Sequence, residues 1–582
     1  AGAPVLTGDD RVRADLPAAL PEHAGPISVS SVVIGFTAFT AVFVLTGTVT
    51  LGVRQRLREL ALLRTLGATP RRLRRLLGAE SALLAVAAAL PAVPLGVVLA
   101  HVVAARLQAL GLVPAQFTVA VGVPVLLLAV LAGTLLTVTA ARLAGRRAVR
   151  IAPTQALTET ATAPTGGLVV RALVAAVTVA GAFAVLAFVP LDGPMGMGMT
   201  FISSALLLCA VAALGPVLVR ALTALVSRPF GLAGLLSRAE SRRVAAVAVP
   251  LVLMFALNAT VLLNSSLLER LAGQEQVART AAATVRVTAP GGMPLAGAER
   301  LLGLPGVSGA AATIPTRVIA VQDGRPEDFA AQGLLTGGEV AVLDLALSGD
   351  PLGDDAFAAS AYLVGQNGWR TGEVVPLWLP DGHRAELRLA ATYTRARGFG
   401  DLVLPAALVA AHDPAGLVGS VVLRGDVTEH LHRAWPALHV APTAEVAPAG
   451  NVSRQGPWEL LVAISLGFTA VAVVNTSAIA TAARRREFAH LRLAGATNGQ
   501  VHRLAGHEAV ITVLVGLLIG AAVTTTVVAT FSTAQDGVLR LVVAPGTYAT
   551  VVGLVAALGL VAGTLPARLV LRPRSTAVQA AR

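Results

Sequence analysis

The sequence predicts an α-helical polytopic membrane protein with nine transmembrane helices and an extracytoplasmic α+β domain. Three observations carry this expectation: an apolar composition, a series of long apolar runs, and one stretch of almost 190 residues in which those runs stop. Of 582 residues, 55% are apolar and 13% charged, with a mean hydropathy of +0.74, which lies outside the range of soluble domains.

A helix of about 20 apolar residues spans a hydrocarbon core about 30 Å thick. Runs of that kind occur at residues 28–52, 81–104, 118–141, 168–190, 200–226, 244–267, 458–482, 508–531 and 547–570. Pro91 and Pro94 interrupt the second, which is tolerable where neighbouring groups take up the freed carbonyls. Arginine sets the orientation, because basic residues are retained on the cytoplasmic side. Alternate short connections are rich in it, with Arg54, Arg56, Arg64 and Arg71, then Arg142, Arg146 and Arg147, then Arg228, Arg238 and Arg242, then Arg484, Arg485 and Arg503, then Arg572 and Arg574. The intervening short connections hold only Arg106 and Arg540. This pattern predicts a multi-pass protein with the amino end outside and the carboxyl end in the cytoplasm, and the Ala/Arg/Gly/Val-rich, lysine-free composition points to a bacterial plasma membrane. It also accounts for the net charge of +13 without any nucleic-acid partner.

Composition excludes several chemistries. No lysine occurs anywhere, so the chain can build neither a P-loop, which needs its lysine on the β/γ-phosphates, nor a Schiff base. Any ATPase activity therefore belongs to a separate polypeptide. The single cysteine, Cys209, excludes an intramolecular disulfide and a multi-cysteine metal site. Residue 1 is alanine and no charged-then-apolar leader precedes the first run, which predicts a trimmed amino end.

Between Leu268 and Pro457 the texture is that of an α+β domain. Thr284 to Val287 reads as a strand, Ala296 to Leu302 as a helix, Pro305-Gly306-Val307 as a turn, and Arg317 to Val321 as a strand. Strands at Val374 to Leu379 and Ala385 to Ala391 are joined by Pro380-Asp381-Gly382, a hairpin turn. The predicted layout is a short extracytoplasmic segment at 1–27, a three-helix membrane module at 28–158, central membrane helices at 159–267, the extracytoplasmic domain at 268–457 and a second three-helix module at 458–582.

The two modules are copies. Arg58 to Glu80 matches Arg486 to Glu508 at a constant offset of 428 residues, with 12 of 23 positions identical. In each copy one span precedes the matching segment and two follow it. In the first copy a helix leaves the membrane through Arg54 to Glu59 and ends at Gly67, a residue suited to a left-handed C-cap. Thr69 then offers an N-cap oxygen and Pro70 the preset φ of a first helical position, so a new helix starts there. Gly495 and Thr497 repeat the break, with Asn498 in the place of the proline. Each module thus presents a helix, a sharp turn and a second helix, with Leu57, Leu60, Leu63 and Leu66 of the first copy available to a partner. The alternative for the same residues is an interfacial helix held to anionic lipid by its arginines.

The segment Arg58-Glu59-Leu60-Ala61-Leu62-Leu63-Arg64-Thr65-Leu66-Gly67-Ala68-Thr69-Pro70 resembles the signature of the FtsX/MacB-type permeases, the type VII ABC transporter superfamily. The segment Arg486-Glu487-Phe488-Ala489-His490-Leu491-Arg492-Leu493-Ala494-Gly495-Ala496-Thr497 is a looser second copy. The resemblance implies that Arg58, Glu59, Leu60, Leu63, Arg64, Gly67, Ala68 and Thr69, with Arg486, Glu487, Leu491, Arg492, Gly495, Ala496 and Thr497, form coupling helices that seat in grooves on a separate ABC ATPase. It implies one permease per ATPase dimer, ATP and Mg bound by that partner, no catalytic, cofactor or metal residue in this chain, and driven motion of the external domain. Full-length two-module relatives have ten spans, so the resemblance also implies a missing first helix and most of a first external domain. The second copy, with His490 for leucine and Asn498 for proline, is expected to dock more weakly.

The function expected is that of a permease subunit coupling ATP hydrolysis elsewhere to extracytoplasmic change and to export or extraction of a substrate. The alternative is a membrane scaffold that passes ATPase-driven motion to an extracytoplasmic partner, a cell-wall hydrolase or a sensor kinase. Glu80 and Glu508 stand at the cytoplasmic mouths of equivalent helices, where pairing with arginine is favoured over proton transport. His507-Glu508 lacks the second histidine of a zinc-protease motif. Glu429-His430-Leu431-His432 reads as solvated rather than metal-binding. Asn258, Asn264 and Asn475 lie in spans and can bond between helices. No ligand motif identifies the substrate.

Overall fold

The computed structural model describes residues 65–109, 118–148, 168–189, 196–239, 241–322, 325–414, 416–443, 485–539 and 545–571, with scattered positions between 34 and 63 and between 462 and 474. Most of the predicted spans at 28–52 and 458–482 lie outside the described residues. The chain divides into two compact units. One comprises residues 26–109, 116–266 and 456–582; the other comprises 1–25, 110–115 and 267–455.

The first unit is helical. Among the described residues six helices are long and apolar enough to cross a membrane: Arg71–Ala109, Val123–Arg142, Val169–Phe188, Gly196–Gly215, Val247–Arg279 and Asn498–Gln535. A seventh is reached if Val217–Val226 and Arg228–Ala239, bent by 65°, count as one span, and a shorter apolar stretch covers Tyr548–Thr564. The expected nine are thus not reached among the described residues. Pro91 and Pro94 do not break their helix, which runs unbroken from Pro70 to Ala109. The bend after Val226 was not foreseen. Arg238 turns back there, its Nε donating to Ser227 Oγ at 2.7 Å and its Nη2 to the Ala224 carbonyl at 2.8 Å. A cation thereby meets the carbonyl end of the preceding helix, where the helix dipole favours it.

The Ser241–Arg279 helix supplies the centre of this unit. Ala248, Val252, Phe255, Ala256 and Asn258 on it are fully buried; Ala248, Val252 and Ala256 pack with Leu208 and Val211 of the Gly196–Val226 helix and Ile511 and Val515 of the Asn498–Asp536 helix, and Phe255 with Val513, Val551 and Val555. Glycines permit the close approach, since a Cβ at Gly520 would stand 2.6 Å from Phe255 Cδ1. Buried polar groups tie the same elements together. Asn264 Nδ2 donates to Thr200 Oγ1 at 3.3 Å and Thr524 Oγ1 to the Ala256 carbonyl at 3.4 Å. Asn258 bonds within its own helix instead, donating to the Met254 carbonyl at 2.6 Å, and Asn475 lies outside the described residues.

The second unit is built on a ten-stranded mixed sheet in the order β10-β1-β9-β2-β3-β8-β5-β7-β4, with β6 pairing β2 and β7. Its strands are β1 (Val285–Thr288), β2 (Gly309–Gln322), β3 (Arg325–Gly338), β4 (Leu347–Gly349), β5 (Ala356–Ser360), β6 (Val374–Trp378), β7 (Arg384–Tyr393), β8 (Leu402–Pro405), β9 (Ser420–Arg424) and β10 (His439–Pro442). Period-two alternation sets which side chains enter the core: Ala385, Leu387 and Leu389 of β7 are buried while Arg384, Glu386 and Arg388 face outward. The β6–β7 hairpin forms where expected, with Gly382 at φ +84° and the Leu379 amide donating to the His383 carbonyl at 2.9 Å. Asp381 accepts from the His383 amide at 2.8 Å and fixes the turn.

Only the distal part of β2 was expected. The observed β2–β3 hairpin pairs fourteen residues on each side, from Gly309 opposite Gly338 to Gln322 opposite Arg325. Its small residues make room for helices. A Cβ at Gly333 would lie 3.0 Å from Val409 Cβ and 3.3 Å from Ala406 Cα, because the Ala406–His412 helix rests on that point. Val285, Val287, Ala310, Ala312, Ile314, Val421 and Leu423 on one face of the sheet join Leu301, Leu363 and Val409 in the main core of the unit.

Candidate functional site: the repeated hairpins

The two matched segments adopt the same turn. Gly67 has φ +92° and Gly495 φ +94°, and in both copies the amide following the glycine reaches back five residues. Ala68 N donates to Leu63 O at 3.0 Å, and Ala496 N donates to Leu491 O at 3.0 Å. In the second copy Gly495 N also donates to Arg492 O at 3.0 Å, which completes a Schellman motif and satisfies the carbonyls left over at the helix end. Leu491 and Ala496, the two residues such a motif brings together, pack on Val501 and Ala505. At the 428-residue offset the first copy has Leu73 and Leu77, both buried.

The second helix of each hairpin begins as expected. Thr69 Oγ1 accepts from the Arg72 amide at 3.4 Å, and the Arg72 and Leu73 amides both donate to the Thr69 carbonyl. In the second copy Thr497 Oγ1 accepts from Gln500 N at 3.3 Å while Gln500 Oε1 accepts from Thr497 N at 2.9 Å. This is a reciprocal capping box, available because Gln500 stands where the first copy has Arg72. The loss of the proline at Asn498 is therefore offset by a stronger cap.

The site residues fall as follows. Glu59, Leu63, Gly67, Ala68 and Thr69 are described, with Glu59 and Leu63 exposed; Arg58, Leu60 and Arg64 lie outside the described residues, as does Leu57. Arg486, Glu487, Leu491 and Arg492 lie on the Arg485–Leu493 helix, with Arg492 exposed and Leu491 half-buried. The apolar residues most open to a partner are Leu66, 82% exposed, and Leu493, 86% exposed, each beside its turn. Leu493 was not among the expected site residues, because the repeat places threonine at the matching position of the first copy. Glu80 lies half-buried and Glu508 buried on the helices leading away from the turns.

These turns demand glycine for conformation rather than space, since a Cβ at Gly67 or Gly495 would meet nothing within 4 Å. Gly495→Ala is therefore expected to cost about 1–2 kcal/mol, the price of a left-handed residue with a side chain. Hydrogen exchange at the Ala496 amide, faster by about tenfold per 1.4 kcal/mol, checks it.

The histidines of the Glu429–His432 segment make local contacts. The His430 ring meets Trp435 edge-on at 6.3 Å, His432 Nδ1 lies 2.9 Å from the Thr428 carbonyl, and Glu429 pairs with Arg433. No group of three or more histidine, cysteine, aspartate or glutamate residues suited to a metal occurs among the described residues.

Comparison with known proteins places both hairpins inside matched segments. The family described as FtsX-like permease C-terminal matches twice, at residues 31–153 and 460–573. Among solved structures, the periplasmic region of MacB from Actinobacillus actinomycetemcomitans is similar at 11% identity and a TM-score of 0.24, covering 29% of this chain and 92% of that one. The extracellular domain of the noncanonic ABC-type transporter YknZ from Gram-positive bacteria is similar at 12% identity and a TM-score of 0.22, covering 27% of this chain and 99% of that one. No curated protein matches the sequence.

Proposed function

We propose that this chain, whose two FtsX-like permease domains mark it as a transmembrane ABC transporter permease, hands the closure of a separate dimeric ATPase to its extracytoplasmic part through the two hairpins. The motion exports or extracts a substrate, and ATP and Mg are held by the partner. The single observation that carries this reading is the repetition of one turn geometry at two places 428 residues apart, with φ +92° and +94° and the same 3.0 Å return bond. Two rigid projections in one chain suit the two subunits of an ATPase dimer. Arginine placement supports a cytoplasmic position for both. Arg58, Glu59, Leu60, Leu63 and Arg64 of the first projection, and Arg486, Glu487, Leu491 and Arg492 of the second, are assigned to the partner groove or to the turn that shapes it. Gly67, Ala68, Thr69, Gly495, Ala496 and Thr497 set the angle of the turn. The Ser241–Arg279 helix, which contributes residues to both compact units, offers the motion a continuous path.

The test is co-purification with the cognate ATPase. Leu66→Asp together with Leu493→Asp puts charge on both exposed tips and leaves the turn bonds untouched. Thermal unfolding of this variant is expected to match the parent, because substitutions at such exposed positions are usually near neutral, while recovery of the ATPase falls at least tenfold. Undiminished recovery with undiminished stimulation of ATP hydrolysis would overturn the assignment.

A further inference from the structure

The face of the sheet opposite the main core bears a cation, Arg286, whose Nε has no hydrogen-bond partner among the described residues. On β1, Val285 and Val287 enter the core, so Arg286 and Thr288 point the other way. Arg286 is flanked across the sheet by Ala441 of β10 and Val422 of β9, and Val422 in turn by Ala311 of β2. None of these can pair with a guanidinium. The Arg286 Nε is itself buried. Partial burial pulls the Arg286 guanidinium below its ordinary pKa.

Arg286 lines a cavity of about 490 Å³, a size usual for small-molecule sites. The sheet forms one side of it. The other side includes Gln276, Arg279 and Thr280 from the end of the Ser241–Arg279 helix, with Phe399. Arg279 is a second cation, but a satisfied one: it lies 3.7 Å from Glu275 and donates to the carbonyls of Arg395 and Arg397, each at 3.0 Å. Neither aspartate nor glutamate lines the cavity. Its remaining walls include the apolar Phe399, Leu343, Pro315 and Val422, and its hydroxyls are those of Thr280, Thr288, Thr313 and Ser420, with Thr280 donating to the Gln276 carbonyl and Thr313 and Ser420 bonded to each other at 3.2 Å. A part-buried positive charge beside apolar walls selects a specific kind of guest. The guanidinium fork matches a carboxylate or phosphate geometrically, and the walls accept an apolar body.

We infer that this cavity binds a small amphipathic anion, its oxyanion head on Arg286 and its apolar body between Phe399 and Val422. The inference stands independently of the transport reading, since it rests on groups within the α+β unit alone. An occupant would also touch the helix end and the sheet at once, joining the two sides of the cavity.

The experiment uses the full chain in phosphatidylcholine nanodiscs, titrated calorimetrically with 2-naphthoate and 2-naphthyl phosphate, with empty nanodiscs subtracted and uncharged 2-naphthol as comparison. Saturable binding of either anion, at least tenfold weaker for 2-naphthol and for Arg286→Leu, is the expected result. Thr288→Glu, which keeps Arg286 and sets a carboxylate on the same face of β1, should weaken binding similarly while leaving thermal unfolding close to the parent. Repeating the titration with phosphatidic acid in the disc distinguishes the sources of the head: competition identifies a lipid phosphate, and its absence a soluble anion. No saturable binding of either anion, or equal binding by Arg286→Leu and the parent, would overturn the inference.

Discussion

Replacing Arg279 with leucine will destabilise the α+β unit by about 3–5 kcal/mol, the range for breaking a buried charged network from one side. Arg279 is 3% exposed. Its Nη1 donates to the carbonyls of both Arg395 and Arg397, its guanidinium lies 5.3 Å from the centre of the Phe399 ring, and Glu275 one turn earlier sits 3.7 Å away. Removing it leaves two carbonyls without their donor and takes a cation from beside a carboxylate that is itself mostly buried. Lysine will not rescue the loss in full, because an ammonium is more strongly hydrated than a guanidinium and cannot lay a delocalised plane against the Phe399 ring. Arg397 provides the contrast. It bonds the same glutamate at 2.7 Å but is 33% exposed, so Arg397→Leu is expected to cost only about 1 kcal/mol. Denaturant unfolding followed by tryptophan fluorescence separates the two, since Trp369, Trp378 and Trp435 all lie in this unit. Equal costs at the two positions would show that Arg279 acts through its charge alone and not through the carbonyls it gathers.

This arginine shows why part of the molecule was legible in the sequence and part was not. The hairpins could be read because every force that shapes them acts within a few residues: a glycine for φ near +90°, a threonine oxygen for an orphan amide, a proline whose missing N–H costs nothing at a first helical position. The β6–β7 turn was legible for the same reason. Gln500 was equally local, three residues after Thr497 as a capping box requires, but it stands where the first copy has arginine, so the repeat itself does not mark it. Arg279 meets carbonyls 116 and 118 residues further on, and nothing near it in the chain announces that contact. The β2–β3 hairpin was partly hidden because alanine, glycine and proline have low strand propensity, and those residues are present to admit helices packed against the sheet. Arg286 had a local signal, the alternation of β1. The lack of a partner at its Nε depended on small residues at 422 and 441, which only the strand pairing brings beside it.

The second large effect is expected in the membrane unit. Gly559→Leu will cost about 3 kcal/mol or more, at the upper end of overpacking in a filled core. Gly559 and Gly563 lie on one face of the Pro545–Leu571 helix, the small-xxx-small spacing that lets helices approach closely in lipid. A Cβ at Gly559 would stand 2.6 Å from Val513 Cγ2 and 3.3 Å from both Cδ atoms of Leu251, and one at Gly563 would stand 2.7 Å from Ala509 Cβ. Val513 and Leu251 are themselves buried, and a β-branched valine on a helix has one strongly preferred rotamer. The added side chain must therefore part three helices rather than turn one aside. Gly553, on the same helix, has nothing within 4 Å of its would-be Cβ. Gly553→Leu should be neutral or slightly stabilising, since glycine is the poorer helix former by up to about 1 kcal/mol. Thermal unfolding of both variants in nanodiscs, with monodispersity read by size exclusion, distinguishes packing from propensity. A tolerated Gly559→Leu would mean that the three helices do not pack this closely in the bilayer.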